Sequence, residues 1–317
     1  MDRISMEAPT LYSEAMSDLM DQFDEDCKLR HLVSIRSYIS SAKEFTIFLS
    51  HRGKSVGNAD KEDLKAFLVR LRERQVKQRT IECIFSRLST FYSFLIEEGY
   101  AGSNLILPFR KRYLRKFKEQ CDAGLRKIIS VADASTLVNS ILDSRDRAIV
   151  VLLLKTGIRR KELCSLDIQD IKIDQGIVQL KPTPKRSNRI LFIDDETIVV
   201  LQKWLQARKT RKGANGPALF LSRRGDRLGP QQVERMIELQ AAIVGLHDPN
   251  SNKLEDHFGP HCCRHWFTTH LIRAGMPRDY VKELRGDTRG EAIDIYNHID
   301  KKELRESYLA HIPQLGI

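Results

Sequence analysis

Residues 145–193 read RDRAIVVLLLKTGIRRKELCSLDIQDIKIDQGIVQLKPTPKRSNRILFI, and the fold turns on how that stretch changes its period. From Ile149 to Leu154 six apolar residues follow one another, so a helix over Arg145–Lys155 is apolar nearly all round and belongs at the centre of a domain. Thr156-Gly157 stops it. A new helix opens just afterwards with Arg159, Arg160, Lys161, Glu162 and Leu163, aiming N–H groups and an arginine at one spot, which suits an anion. The pattern then becomes that of strands. Ile171-Lys-Ile173, a turn at Asp174-Gln-Gly176 and Ile177-Val-Gln-Leu180 read as a hairpin, and Arg189–Ile193 continues it as a third strand. Between the last two lies Lys181-Pro-Thr-Pro-Lys-Arg-Ser-Asn188, a basic fingertip that must face solvent. The expected class is mainly α with a small antiparallel β-sheet, that is α+β.

Outward toward the C-terminus, helices resume over 195–208 and from Pro230, and a further one begins at Pro260 and stops at Ala274-Gly275. It carries His261 and Arg264, three apart and therefore on one face. An imidazole beside a guanidinium suits a phosphate, because arginine donates through a planar fork and histidine can give or take a proton near neutral pH. Leu284-Arg-Gly-Asp287 and Ile295-Tyr296-Asn-His298 follow, and Tyr296 offers a phenol that could be delivered to the same phosphate as nucleophile. Residues 302–317 read as a short helix and an apolar tail. Leu309, Ile312, Leu315 and Ile317 would either dock on a neighbouring protomer or fold back onto their own domain.

Toward the N-terminus, Asp133 or Ser135 can cap a helix through Ile141. Before it, Arg110, Lys111, Arg112, Arg115, Lys116 and Lys118 crowd a nine-residue run just after Pro108, which reads as a basic linker over 108–127 able to follow a phosphate backbone. Residues 31–107 carry three helical stripes ending at Gly53, Leu71 and Gly99, a small all-helical domain. Residues 1–30 are acidic and read as an arm or a first short helix. The catalytic domain is expected over 128–300, with 301–317 as its tail. The whole chain of 317 residues carries 53 Lys and Arg against 42 Asp and Glu, a net +11 that favours a polyanionic partner, nucleic acid being the commonest. Six cysteines without CxxC spacing argue against a disulfide framework or zinc ribbon and for reduced thiols of a cytoplasmic protein. No apolar run reaches membrane-spanning length, and the first residues lack the apolar core of a signal peptide.

Three segments together resemble the tyrosine recombinases, the phage-integrase family, in a Xer-like form. Thr156-Gly-Ile-Arg159-Arg-Lys-Glu162-Leu163 is similar to that family's Thr-Gly-Leu-Arg-x-x-Glu-Leu box. Pro260-His261-Cys-Cys-Arg264-His265 is similar to its His-x-x-Arg box, and Tyr296-Asn-His298 to its Tyr-x-His nucleophile box. The likeness spans residues 130–300; the helical N-terminal part resembles the family's core-binding, SAM-like domain in pattern alone. What the resemblance implies is a site-specific DNA recombinase whose catalytic set is Arg159, Lys185, His261, Arg264, Asp287 and Tyr296. The arginines would clamp the non-bridging oxygens of a scissile phosphate, Tyr296 would attack it to leave a 3′-phosphotyrosyl bond, and a fingertip lysine would protonate the departing 5′ oxygen. Lys185 fits the distance to Arg189 better than Lys181, which with Arg186 would touch DNA. His261 would serve as base or phosphate ligand. Neither metal nor ATP is required on this scheme, the partner is double-stranded DNA, and recombination implies four protomers on two DNA sites, in the nucleoid of the cytoplasm.

Position 287 departs from the family pattern, where a histidine or tryptophan is usual. An aspartate there could accept a bond from Arg264, Arg285 or the Tyr296 phenol, hold His261, or cap a helix after Gly286. The cluster His261, Cys262, Cys263, His265 and His270 invites a metal reading, but adjacent cysteines on a helix point to different sides, which favours packing thiols. Type IB topoisomerases share nearly the same active groups, and a DNA-binding protein of this fold that no longer cleaves is the remaining alternative.

Overall fold

The computed structural model describes residues 7–114, 127–182, 190–286 and 299–317, with side chains from residue 16 onward. The chain divides into two compact units, Met1–Gln120 and Cys121–Ile317.

Among the described residues the first unit contains five α-helices: α1 (Glu7–Leu29), α2 (Ile35–Ser50), α3 (Lys61–Glu73), α4 (Gln78–Glu97) and α5 (Ile106–Tyr113). Their shared core is aromatic, with Phe23, Phe45, Phe67, Phe85, Phe91 and Tyr92 all but inaccessible. The acidic stretch expected as an arm or short helix is instead a 23-residue helix. Met20, Phe23 and Cys27 recur at helical spacing and reach this core, while Asp18, Asp21 and Glu25 face outward. The start of the expected linker is also helical. Pro108 sits in the first turn of α5, where its missing N–H costs no intrahelical bond. Asn104 fastens that turn: its side-chain oxygen accepts from the N–H groups of Ile106 and Leu107, and its amide donates to Ser89 O on α4. Phe109 then packs on Phe85 at 5.4 Å, so Arg110, Lys111 and Arg112 are presented by the last turn of a packed helix.

The second unit is built around a buried helix. It begins with α6 (Val131–Ser140), capped by Ser130 with Asp133 at the third position, and so one turn earlier than expected. Then come α7 (Ser144–Thr156), α8 (Arg160–Ser165), strands β1 (Ile171–Lys172), β2 (Ile177–Gln179) and β3 (Ile190–Phe192), and α9 (Asp195–Arg208). Next are α10 (Pro230–Ile243), α11 (Pro260–Arg273), α12 (Arg278–Arg285) and α13 (Lys301–His311). The three strands form one antiparallel sheet in sequence order, Ile171 opposite Val178 and Gln179 opposite Ile190. Every residue of α7 from Ala148 to Thr156 is buried, and α9, α11, α10 and α6 all pack on it. Burying one such leucine or isoleucine contributes about 1.5–3 kcal/mol, so the run Ile149–Leu154 contributes strongly to the stability of this unit.

One cation sits inside that apolar wall. Lys155 is fully buried, and its ammonium reaches Asp194 Oδ2 and Glu196 Oε2, both at 2.6 Å, and Pro313 O at 2.7 Å. Glu196 in turn accepts from the backbone N–H groups of Leu315, Gly316 and Ile317, and Ser135 Oγ donates to Leu315 O. With Ile312 and Leu315 buried, the apolar tail folds back onto its own unit in the single chain.

Two outcomes are expected. Gly157 ends α7 at φ +58°, and a Cβ there would stand 2.5 Å from the Phe267 ring, so Gly157→Ala should destabilise by about 2–4 kcal/mol in urea unfolding. Burial opposes ionisation of Glu196, but the Lys155 ammonium and the tail amides outweigh it and hold the carboxyl below the usual carboxylate range. A lowered folded value means that its contribution is whole above the ordinary glutamate range and is lost as pH falls through that value. Melting temperature should therefore drop in acid below about pH 4, and Glu196→Gln should flatten that limb.

Candidate active site

Arg159 occupies the cap position of α8, in extended backbone directly after the left-handed turn at Gly157. Glu162, three residues on and almost fully buried, grips it twice. One carboxylate oxygen accepts from the Arg159 backbone N–H at 2.9 Å, the other from its guanidinium at 3.1 Å. This changes the expected anion site. The helix is only six residues long and its first amide is taken by Glu162, so the group presented is the guanidinium itself, 30% exposed.

Arg264 approaches from α11. Its Nη1 donates to Gly157 O at 2.5 Å and its Nη2 to Arg285 O at 2.9 Å, and the residue is 8% exposed. A single guanidinium thus joins the turn two residues before Arg159, helix α11 and the last turn of α12. The planar fork explains why arginine stands here, since its two nitrogens reach two carbonyls from one rigid plane. His261 lies in the first turn of α11 behind Pro260, with its side chain exposed. The next two residues point elsewhere: Cys262 Sγ meets His257 O, and Cys263 is wholly buried, which pushes its thiol far up. His270 turns away to Ile129 O and lies tilted against Trp266. Among the described residues no group of three or more His, Cys, Asp or Glu is placed to hold a metal ion.

Lys181, at the root of the fingertip, is held by Asp167 Oδ2 at 2.5 Å. Asp167 also pairs with Arg227 at 2.5 Å, and the two cations hold its carboxyl below the usual carboxylate range. Neither Asp167 nor Arg227 was expected at the site; nothing in the sequence near them departs from an ordinary loop. Arg110, Lys111 and Arg112 lie on α5 of the first unit. Lys185, Arg186, Asp287, Tyr296, Arg115, Lys116 and Lys118 lie outside the described residues. Arg159, Arg264 and the end of α12 that leads to position 287 are therefore brought together, with His261 one turn before Arg264.

The bonds of Arg264 make a direct prediction. A lysine at 264 has one nitrogen and cannot serve both carbonyls, so Arg264→Lys should lower unfolding stability by about 1–3 kcal/mol, read by denaturant melts.

Two family descriptions match this chain: "Phage integrase family" over residues 124–303, and "Phage integrase, N-terminal SAM-like domain" over residues 21–99. Among curated proteins, Tyrosine recombinase XerC of Bacillus licheniformis is 30% identical, with 89% of this chain and 90% of that protein covered. The XerC of Thermodesulfovibrio yellowstonii is 28% identical over 87% and 88%. Among solved structures, the Tn1549 transposon integrase in complex with transposon right end DNA has the same fold, with a TM-score of 0.65, 17% identity, and 88% and 97% of the two chains covered. So does a lambda integrase dimer bound to a core site, with a TM-score of 0.63, 18% identity, and 90% and 79% covered. No described helix is long and apolar enough to cross a membrane. With both matches falling on the two units just described, this chain belongs to the phage integrase family, the tyrosine-type site-specific recombinases.

Proposed function

We propose that this recombinase cuts and rejoins duplex DNA through a 3′-phosphotyrosyl bond, with Arg159, Lys185, His261, Arg264, Asp287 and Tyr296 as its working groups. The observation that supports this reading most is the bond from Arg264 to the Gly157 carbonyl, two residues before Arg159. Glu162 holds the first at two points, and the second donates to the carbonyl two residues earlier, so both arginines are tied to one stretch of the second unit. A phosphodiester attacked in line gathers negative charge on its non-bridging oxygens, and two fixed cationic forks stabilise that charge without reorganising.

The rest of the scheme follows from the chemistry of the side chains. Tyr296 attacks phosphorus and needs a proton acceptor, since a phenol of ordinary pKa near 10 is a weak nucleophile while protonated; His261 serves as that base or as a phosphate ligand. Lys185 gives a proton to the leaving 5′ oxygen. The ion pair of Lys181 with Asp167 supports this choice, because that ammonium is already committed to the root of the fingertip. Asp287 follows Gly286 at the end of α12, where the Arg285 carbonyl meets Arg264, and an aspartate there serves best as an acceptor that orients an arginine or the phenol. The basic residues Arg110, Lys111, Arg112, Arg115, Lys116, Lys118 and Arg186 supply contacts to the DNA backbone, whereas Lys181, expected among them, is spent on Asp167. Four protomers act on two DNA sites, within the nucleoid.

The test is a covalent trap. Nicked duplexes tiled across the DNA flanking its gene should give a denaturant-resistant protein–DNA adduct that Tyr296→Phe abolishes. Arg159→Ala should slow its formation by about 10²–10³-fold. Tight, sequence-specific binding without an adduct on any duplex would overturn the reading.

A further inference from the structure

We propose that Asp167 is a positioning residue for strand cleavage: by pairing with Lys181 and Arg227 it fixes the root of the basic fingertip to the helix that starts at Arg159. The proposal rests on the reading above that Lys185, on that fingertip, protonates the leaving oxygen.

Three observations converge on Asp167. Its two carboxylate oxygens are divided between the two cations, Oδ2 to Lys181 Nζ and Oδ1 to Arg227 Nη2, both at 2.5 Å. The Arg227 guanidinium also donates through Nη1 to Cys164 O at 3.1 Å and Leu166 O at 2.9 Å, the carbonyls at the C-terminal end of α8. The carboxylate itself is nearly inaccessible, at 8% for the residue, and its own backbone N–H is tied to Asp170 Oδ2 at 2.8 Å. Arg159 caps the start of α8 and Arg227 closes its end, so Asp167 links the frame of the catalytic arginine to the first residue of the fingertip.

The link matters because of the length of the connection it anchors. Tight hairpins of two to five residues are shaped by their turn, whereas this connection runs from Gln179 to its partner Ile190. Lys185 is four residues beyond Lys181, and chain geometry alone bounds it only to within about 14 Å of that anchor. A general acid must sit within hydrogen-bond reach of the atom it serves, and misplacing it by an ångström is costly. Fixing the root narrows where the lysine starts.

In the cleavage step Tyr296 Oη forms a bond to phosphorus, the bond from phosphorus to the 5′ oxygen breaks, and that oxygen takes a proton from Lys185 Nζ while the phenol proton passes to the base. If sulfur replaces the bridging 5′ oxygen, the electron pair stays on sulfur as a thiolate. A thiol has a pKa near 8.5, so it leaves without needing the lysine's proton. A residue that acts only by positioning the acid is therefore needed on the oxygen substrate and dispensable on the sulfur one.

The experiment measures single-turnover cleavage of paired nicked duplexes with oxygen or sulfur at the scissile 5′ position, for the full chain and for Lys185→Ala, Asp167→Asn and Lys181→Gln. Lys185→Ala should lose about 10²–10³-fold on oxygen and recover to within a few-fold on sulfur. Asp167→Asn should lose roughly 10-fold on oxygen and recover likewise, with Lys181→Gln showing the same pattern more weakly. Equal slowing of Asp167→Asn on both substrates, or no slowing on oxygen, overturns the positioning role. A Lys185→Ala enzyme that stays slow on sulfur overturns the acid assignment instead, whatever Asp167→Asn does. Should Asp167→Asn fail to fold, Lys181→Gln, which leaves the Asp167–Arg227 pair in place, decides the matter by the same comparison.

Discussion

The ring of Phe267 occupies the space that any side chain at position 157 would need, and that steric fact organises the second unit. Helix α7 is buried on all sides, so it cannot drift toward solvent to relieve a clash; it ends where α11 crosses it. Only a residue without a Cβ, and one at ease with positive φ, lets the chain turn there. The turn leaves the Gly157 carbonyl facing α11, where Arg264 takes it, and delivers Arg159 to the start of α8. Packing thus places one arginine, and a hydrogen bond to the turn places the other.

Arg264 holds the domain together with the same group that is proposed to meet the phosphate. Its bonds to Gly157 O and Arg285 O hold three segments of the domain together before any DNA is present. Because those carbonyls determine the plane of the guanidinium, its orientation is settled by the fold, and in the proposed role on a phosphate it would need no side-chain ordering on binding. Glu162 does the same for Arg159. Preorganisation of this kind is what electrostatic catalysis demands, since a charge that must first swing into place stabilises a transition state less.

How much of this was legible in the sequence depends on whether the signal was local. The all-apolar run of α7, the stop at Gly157, the change to strand period and the spacing of His261 and Arg264 are each visible within a dozen residues, and they led to the right class and family. Lys155 was not legible as a buried ion, because its partners at 194, 196 and 313 are far away in the chain. Asp167 and Arg227 were missed for the same reason. The acidic N-terminus misled in the opposite way: its charge drew attention from Met20, Phe23 and Cys27, whose helical spacing carries the burial. Pro108 read as a break because its place in the first turn of a helix depends on Asn104 and Phe109 beside it.

The buried cysteines carry a last consequence. Burial raises the thiol of Cys27 in the first unit and that of Cys164 in the second to about 11, and pushes that of Cys263 further still. Such thiols are poor nucleophiles while the protein is closed and become ordinary ones when their surroundings open. Each unit therefore contains its own chemical clock. Alkylation of Cys27 times the breathing of the aromatic helical bundle, and alkylation of Cys263 times the parting of α11 from α7, with no label added to either.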